Sequence, residues 1–424
     1  MRPITRRTFG KLAVAASASA TTAAAPIRFA KSAEGPIRIG FSIAQTGNIA
    51  SGGKAGLAAL ELWRSELNAA GGLLGRSVDF VVYDDQSQAS NVPAIYAKLM
   101  DIDKVDLLLL PYGTNLTAVV MPMIVQRNRF VIGQFEIGQN DKLGFDKFFE
   151  IAPWGPKPGA NWCRGYFDLA KRQGYKTLVV VNSDAEFSAN AASAGAKIAE
   201  EYGMKVLSVQ HYPPNTVDFS GILRSVNAAA PDFVFVASYP TESAALIRGI
   251  SEIGITDTVQ MFGGAMVGIQ YAQQLASLGS ALNGVANYDT YVAAPTMSFP
   301  GVVEFLERYQ KVAEREKVDS LGHFLPPFFY AGGQLIAAAV KAVGAVDEEK
   351  MANWLHANSI DTIVGPIKFG PDGNWVESRI VWAQYRDVAD NNIDQFRKPG
   401  KQIILQPEAL ETGKLVAPYS KGRG

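Results

Sequence analysis

The residues that most often do chemistry are few and widely separated in this chain. It has three histidines, His211, His323 and His356, and one cysteine, Cys163. The histidines lack the short spacing of metal ligands, so we expect structural roles for them. A single cysteine cannot form an intramolecular disulfide. Its position beside Trp162 in an apolar segment predicts a small buried side chain and not a nucleophile.

The sequence contains one acidic pair, Asp84-Asp85, at the end of a predicted strand. Such a pair could bind Mg²⁺ or act as a general base, but we favour acids of a solvated turn. The chain has no GxSxG elbow and no phosphate-binding loop. Gly47, Gly52 and Gly53 have the wrong spacing for a dinucleotide site. The sequence therefore predicts no enzyme active site, no cofactor and no metal.

The N-terminus is basic and is followed by small residues. Arg6-Arg7, with Phe9 and Lys11 close behind, precedes an alanine-rich stretch over 12–25. This arrangement is typical of an export signal, and the adjacent arginines resemble the twin-arginine signal of bacteria. The alternatives, a membrane anchor or a fortuitous basic helix, fit less well because an anchor needs about 20 strongly apolar residues. We predict a signal peptide over 1–33, cleaved after Ala25 or near residue 33, and a periplasmic mature protein with no stable membrane insertion.

Length and composition exclude several classes of protein. The chain has 424 residues, of which 48% are hydrophobic and 19% are charged, and this excludes intrinsic disorder. A chain this long exceeds what one hydrophobic core usually serves, so at least two domains are expected. Six of the 40 basic residues and none of the 40 acidic ones lie in 1–33, which leaves 34 bases against 40 acids and a formal net charge of −6. No nucleic-acid partner is expected.

Strand-like and helix-like segments alternate along the mature chain. Apolar runs such as 37–43, 105–110, 177–181 and 233–236 predict buried strands, with amphipathic helices between them. This alternation predicts an α/β fold with doubly wound, Rossmann-like sheets. The pattern restarts after a segment with three prolines and two glycines over 152–159, and two such stretches predict two lobes.

One segment resembles a known family. Residues 67–76, LNAAGGLLGR, lead into 78–86, VDFVVYDDQ. This combination resembles the periplasmic solute-binding proteins of branched-chain amino-acid ABC transporters, the Leu/Ile/Val-binding proteins with the type I periplasmic binding protein fold. Further matches at 218–220, 231–234 and 358–367 extend the resemblance over nearly the whole mature chain.

The resemblance implies two lobes joined by three crossovers, which close on a ligand and dock on an ABC permease in the membrane. It places 36–152 and 289–359 in lobe 1, and 153–288 and 360–424 in lobe 2. A monomer without cofactor or metal is expected.

The resemblance also implies a set of ligand contacts from lobe 1. The segment 111–117 would hold a ligand carboxylate, with Tyr112, Thr114 and Asn115 as candidates, although the hydroxyl and amide could instead cap the next helix. In the second loop, over 134–137, Phe135 and Glu136 are candidates. Glu136 departs from the small or hydroxylated residue common in the family, so it either points away or recognises a cationic or amide group.

In lobe 2 the candidates are Phe187, Tyr239 and Met266. The aromatic residues could alternatively be packing residues at the lobe edges. Amino-acid binders carry an acid in the loop that holds Met266, yet residues 262–266 read FGGAM. A buried ammonium without a carboxylate partner is costly. An ordinary α-amino acid is therefore in doubt unless Glu136, Asp184 or Glu186 replaces the missing acid.

The function indicated is a receptor that captures a small molecule between two lobes and delivers it to an ABC importer. The ligand classes left open are a branched or aromatic amino acid, an aromatic carboxylate, and an amide such as urea. The alternatives are an exported enzyme and a ligand-sensing subunit of a signalling system.

Overall fold

The computed structural model describes residues 35–423. The predicted signal peptide lies outside the described residues. Two parallel sheets dominate the structure, each with helices on both faces, as predicted for doubly wound lobes.

The first sheet is built from the N-terminal part of the chain, and its strand order is β2-β1-β3-β4-β5 with every pair parallel. Its strands are β1 (Ile37–Ser42), β2 (Val78–Tyr83), β3 (Leu107–Tyr112), β4 (Val131–Gln134) and β5 (Phe148–Glu150). The helices between them are α1 (Ala50–Ala69), α2 (Val92–Asp101), α3 (Thr114–Ala118) and α4 (Met121–Gln126), with a 3₁₀ turn at Ala89–Asn91.

The second sheet has seven strands in the order β14-β13-β10-β9-β8-β6-β7. The chain crosses to this sheet after β5. It then forms, in order, α5 (Pro158–Asn161), α6 (Arg164–Arg172), β6 (Thr177–Ser183), α7 (Glu186–Glu201), β7 (Lys205–Tyr212), α8 (Ser220–Ala229), β8 (Phe233–Ser238), α9 (Pro240–Ile253), β9 (Met261–Met266), α10 (Ala272–Leu278) and β10 (Ala286–Asp289). Five of its strands are parallel, whereas β13 (Val381–Tyr385) and β14 (Gln402–Gln406) join antiparallel at one edge. The segments at Gly279–Leu282, Pro295–Met297, Ile393–Arg397 and Glu408–Leu410 are 3₁₀ turns, and α14 (Tyr419–Gly422) ends the described chain.

Between β10 and β13 the chain returns to the first sheet. Here it forms α11 (Val302–Glu316), α12 (Pro326–Val343), α13 (Glu348–Ala357) and the antiparallel hairpin of β11 (Ser359–Thr362) and β12 (Gly365–Lys368). Glu66 connects α1 to α11 and α12, because it accepts hydrogen bonds from Arg308 Nε at 2.7 Å and from Tyr330 Oη at 2.6 Å. The chain therefore passes between the two sheets three times.

Close packing of α1 against α12 depends on small residues. A Cβ on Gly56 would lie 2.5 Å from the Phe329 ring, and one on Gly333 would lie 2.3 Å from the Trp63 indole. Each glycine thus makes room for an aromatic ring of the facing helix. Among residues 35–423 no single helix has the length and apolarity of a membrane span. Only α12 and α13 taken together reach both, and they bend by 107° at their junction.

The predicted alternation of strands and helices is confirmed, with differences in detail. After the strand predicted at 105–110, the expected helix is two helices, α3 and α4, because Pro122 occupies the first turn of α4 and cannot continue a preceding helix. Residues 262–266, expected in a loop, belong to strand β9. The strand β13, with every residue buried, was not predicted.

The predicted lobe boundaries at 152/153, 288/289 and 359/360 stay predictions. Beyond Ser359, however, the chain still contacts the first sheet. Gly373 O accepts from Glu150 N at 2.9 Å, and Trp375 Nε1 donates to Glu150 O at 2.9 Å. These contacts favour a third crossing between Trp375 and Val381.

Candidate ligand-binding site

A cavity of about 90 Å³ lies between the two sheets, beyond the carboxyl ends of their strands. This is where doubly wound sheets bind ligands. The first-sheet side supplies Asn48, Ile49, Ser87, Tyr112, Gly113, Thr114, Asn115, Leu116, Phe135 and Ile137. The remaining lining residues are Trp154, Phe187, Tyr239, Val267, Tyr288 and Phe324. Residues far apart in the sequence thus meet around one cavity between the lobes.

The structure brings six of the eight sequence-predicted site residues to this cavity and leaves two outside it. The six are Tyr112, Thr114, Asn115, Phe135, Phe187 and Tyr239. Glu136 is buried behind the cavity, and its neighbour Ile137 lines the wall. Met266 packs in the core of the second lobe. Its N–H donates to Asn287 Oδ1, and its carbonyl oxygen accepts from Asn287 Nδ2. The next residue, Val267, lines the cavity.

Two loops of the first lobe are joined beside the cavity. Gly113 has φ +96°, a conformation that favours glycine, and its N–H donates to Gln134 O at 3.0 Å. Thr114 Oγ1 accepts from Ile137 N at 3.1 Å. The loop after β3 and the loop after β4 therefore form one unit, and the Thr114 hydroxyl keeps its own proton for donation.

Asn115 connects the lobes across the cavity. Its Oδ1 accepts from Phe187 N at 3.0 Å and from Tyr239 Oη at 2.8 Å. A second interlobe bond joins Tyr112 Oη and Tyr271 Oη at 2.8 Å, with both residues buried. The structure is thus the closed state, and the Asn115 carbonyl is committed to closure, so only its Nδ2 amide group remains for a ligand.

Buried Glu150 organises the loop that carries Phe135. Phe135 has φ +60°, which is uncommon for a bulky residue. Glu150 Oε1 accepts from Phe135 N at 2.9 Å and from Ala152 N at 2.8 Å, so one carboxyl group holds both a cavity loop and the start of the first crossover. Burial raises the pKa of Glu150 to about 8.

Glu136 lies beside this carboxyl group and is itself fully buried. Burial, and then the neighbouring Glu150, raise the pKa of Glu136 well above its ordinary value. Its Oε2 accepts from Gln139 N at 2.8 Å, whereas Oε1 has no partner within residues 35–423. Glu136 is therefore a buried residue of the core that does not line the cavity, in line with the alternative that it points away from the ligand.

Seven of the sixteen residues that line the cavity are aromatic. The Phe135 ring meets Trp154 and Phe324 edge-on, each at 5.5 Å between centroids, and Phe187 meets Tyr239 at 5.7 Å. The sequence analysis missed Trp154, Tyr288 and Phe324 as lining residues. Trp154 lies in the segment 152–159, where the strand–helix pattern is interrupted, and Tyr288 lies at the predicted lobe boundary 288/289. An aromatic residue at a predicted crossover was therefore the available signal.

No Asp, Glu, Lys, Arg or His side chain is among the residues that line the cavity. Neither Asp184 nor Glu186 replaces the acid absent from the loop after β9. Asp184 is mostly exposed with His211 3.8 Å away, and Glu186 Oε1 accepts from Asn190. The cavity therefore offers a ligand neutral hydrogen-bonding groups and aromatic faces.

The other chemically capable residues have structural roles. Asp84 accepts from the N–H groups of Gln45 and Gln86, at 2.9 Å each, and is a turn acid as predicted. Asp85 differs from the prediction of a solvated acid, because it is buried and accepts from Ser42 Oγ at 2.8 Å. Cys163 is buried, and burial raises the pKa of its thiol to about 12. Burial lowers the pKa of His323 to about 4. Across the described chain, no three acidic, histidine or cysteine side chains group as metal ligands.

Two doubly wound lobes, three crossovers and a closed interlobe cavity define a type I periplasmic binding protein fold. The family model described as periplasmic binding protein matches residues 36–390, and the chain belongs to that family. It is 24% identical over 424 residues to the Leu/Ile/Val-binding protein homolog 8 of Brucella suis biovar 1, covering 95% of this chain and 96% of the relative.

Solved structures share the fold. A Rhodopseudomonas palustris ABC-transporter solute-binding protein in complex with benzoate superposes with a TM-score of 0.71 at 20% identity, covering 88% of this chain and 96% of the other. The Streptococcus pneumoniae branched-chain amino acid transporter substrate-binding protein LivJ, in complex with isoleucine, gives a TM-score of 0.70 at 17% identity, covering 88% and 100%. Each superposition covers most of both chains and supports the same two-lobed fold.

Proposed function

We propose that this protein is exported to the periplasm, captures a small molecule in the interlobe cavity and delivers it to the permease of an ABC importer. The observation that carries the proposal is the double acceptance by Asn115 Oδ1 from the opposite lobe. These bonds require closure. A ligand that fills the cavity adds contacts available only in that closed state, and so shifts the population towards it.

Closure gives a permease a means of distinguishing loaded from empty receptor. The two lobes present one relative arrangement when Asn115 reaches Tyr239, and another when the cleft opens. A partner that contacts both lobes would therefore recognise the loaded form without touching the ligand. Because the mature chain carries a formal net charge of −6, we expect that it binds neither nucleic acid nor an anionic membrane surface. We also expect a monomer with no stable membrane insertion.

The proposed ligand contacts are Tyr112, Thr114, Asn115, Phe135, Phe187 and Tyr239, joined by Trp154, Tyr288 and Phe324. We infer that the first group holds the polar end of the ligand near Thr114 and Asn115, and that the aromatic residues enclose its remainder. Glu136 and Met266 would act only by supporting the cavity loops.

The proposal is tested in two steps. Thermal-shift measurements on the mature protein against amino acids, aromatic carboxylates and small amides should reveal one class that raises the melting temperature, since a ligand stabilises the state it binds. Uptake of that compound should then fall in cells from which the gene is deleted and return on complementation. Unchanged uptake in the deletion strain would exclude delivery to an importer, and exclusively cytoplasmic protein in cell fractions would exclude export.

A further inference from the structure

We propose that the ligand is a small single-ring aromatic carboxylate without an ammonium group. This narrows the proposed function and rests on it. Four features of the cavity carry the inference: its charge, its donors, its size and its walls.

The cavity has no group that suits an ammonium. None of its lining residues carries a carboxylate, and the Asn115 Oδ1 acceptor is already taken twice by the opposite lobe. Residues 262–266 lie within strand β9, and the loop after it, over 267–271, contains no acid. A Cβ at Gly263 would lie 2.1 Å from Ala286 O, so an acidic side chain there would displace the neighbouring strand. An α-amino acid would therefore bury its ammonium without an anionic partner, which costs several kcal/mol.

The same cavity has donors in excess. Trp154 lines the cavity and is 3% exposed. Its indole Nε1, which can only donate, is buried without a partner in the described part of the chain, so the proposal assigns to it an acceptor of the ligand. The Thr114 oxygen accepts from Ile137 N–H, so the hydroxyl proton is left to donate. Asn115, with its carbonyl engaged, likewise offers only N–H groups.

Three side chains with spare donors call for a ligand rich in acceptors. A carboxylate meets this need, because hydrogen bonds from several N–H and O–H groups stabilise its charged form and offset the loss of water. A cationic ligand would leave the same donors without acceptors, and its positive charge would repel their partly positive hydrogen atoms. The excess of donors over acceptors thus favours a negative charge at the polar end of the ligand.

Size and wall composition define the rest of the ligand. The closed cavity measures about 90 Å³, and seven of its sixteen lining residues are aromatic. An apolar cavity of about 150 Å³ accommodates benzene, so this one takes no more than one ring after slight opening. Rings pack well edge-on or offset against aromatic walls. A benzoate-sized compound satisfies both the space and the walls.

The decisive experiment compares ligands that differ only in the ammonium group. We would titrate the mature protein by calorimetry with 3-phenylpropionate and phenylalanine, with 4-methylpentanoate and leucine, and with benzoate. Benzoate or 3-phenylpropionate should bind, and each amino acid should bind at least tenfold more weakly than its deaminated partner. Equal or tighter binding of either amino acid would overturn the inference while leaving the proposed function intact.

The remaining outcomes separate the two proposals. If these acids do not bind but a small amide or another neutral compound does, the ligand class is wrong and the receptor function stands. If no small molecule from a broad panel binds, both proposals fail.

Trp154→Phe tests the donor directly, because it keeps an aromatic ring and removes the indole N–H. We expect at least tenfold weaker benzoate binding with an unchanged circular dichroism spectrum. Trp354→Phe, on α13 away from the cavity, is the matched control and should bind as the wild type does. Wild-type affinity in Trp154→Phe would refute the role assigned to the indole.

Discussion

The Tyr239 hydroxyl should stabilise lobe closure by a measurable amount. Tyr239→Phe keeps the ring in the cavity wall and removes the 2.8 Å bond to Asn115 Oδ1. That oxygen still accepts from Phe187 N at 3.0 Å, so no buried acceptor is left unpaired. The loss should therefore be near the mean net value of one hydrogen bond, about 1 kcal/mol, which corresponds to about a fivefold change in the ratio of closed to open protein.

Two measurements follow this change. Small-angle X-ray scattering on the ligand-free protein should show a larger radius of gyration for Tyr239→Phe, because more molecules are open. Calorimetry with the compound found in the ligand screen should show weaker binding, by up to about fivefold. Both effects have the same origin, so they should occur together.

Tyr166→Phe is the matched control. Its hydroxyl donates to Val234 O at 2.8 Å, buried within the second lobe, so its removal should lower the free energy of unfolding without moving the lobes. If Tyr239→Phe changes neither the scattering nor the affinity, or if Tyr166→Phe changes them equally, the Asn115 bridge does not control closure.

Three further predictions concern stability and reactivity. Because the pKa values of Glu136 and Glu150 are raised in the folded protein, these acids lose their protons at a lower pH in the unfolded chain. Their contribution to stability should therefore be greatest below pH 4.5 and fall as the pH rises to about 8, by about 1.4 kcal/mol for each unit of difference between the folded and unfolded pKa values. Urea unfolding across this range should show a weaker decline for Glu136→Gln than for the wild type; an identical decline would contradict the assignment. Gly263→Ala should lower the free energy of unfolding by more than about 2 kcal/mol, because φ is +134° and the new Cβ would lie 2.1 Å from Ala286 O, whereas the exposed helical Gly221, with open space around it, should tolerate alanine. Cys163 should react with a thiol reagent only after unfolding, since it is buried and its pKa is raised to about 12; rapid labelling of the folded protein would show that this part of the chain opens.

The buried acids show why one site residue was hard to place from the sequence. In the primary structure, Glu136 is a polar residue in a loop that the family uses for ligand contacts. Its side chain was therefore expected to contact solvent or the ligand. Its real neighbour is Glu150, which lies on the next strand and holds the backbone of Phe135. That contact turns Glu136 inwards and Ile137 towards the cavity.

The loop after β9 shows a similar dependence on distant residues. The absence of an acid over 262–266 is legible in the sequence, but these residues form strand β9, and the loop after it, over 267–271, has no acid either. Which side chain faces the ligand was not legible, because Asn287 on the neighbouring strand fixes the Met266 backbone and leaves Val267 at the cavity.

The family resemblance implied which loops meet at the cleft. The sequence by itself determined the α/β class, the alternation of strands and helices and the lack of catalytic motifs. These properties follow from local patterns, since buried parallel strands need continuous apolar runs and helices need a periodic apolar face. Tertiary structure alone decided which side chains of those loops line the cavity, that Asn115 bridges the lobes, and that Trp154 and Tyr288 enter the wall from the crossovers. The physical reason is that a side chain at the cleft faces whichever partner completes its hydrogen bonds and packing, and here those partners lie up to 159 residues away.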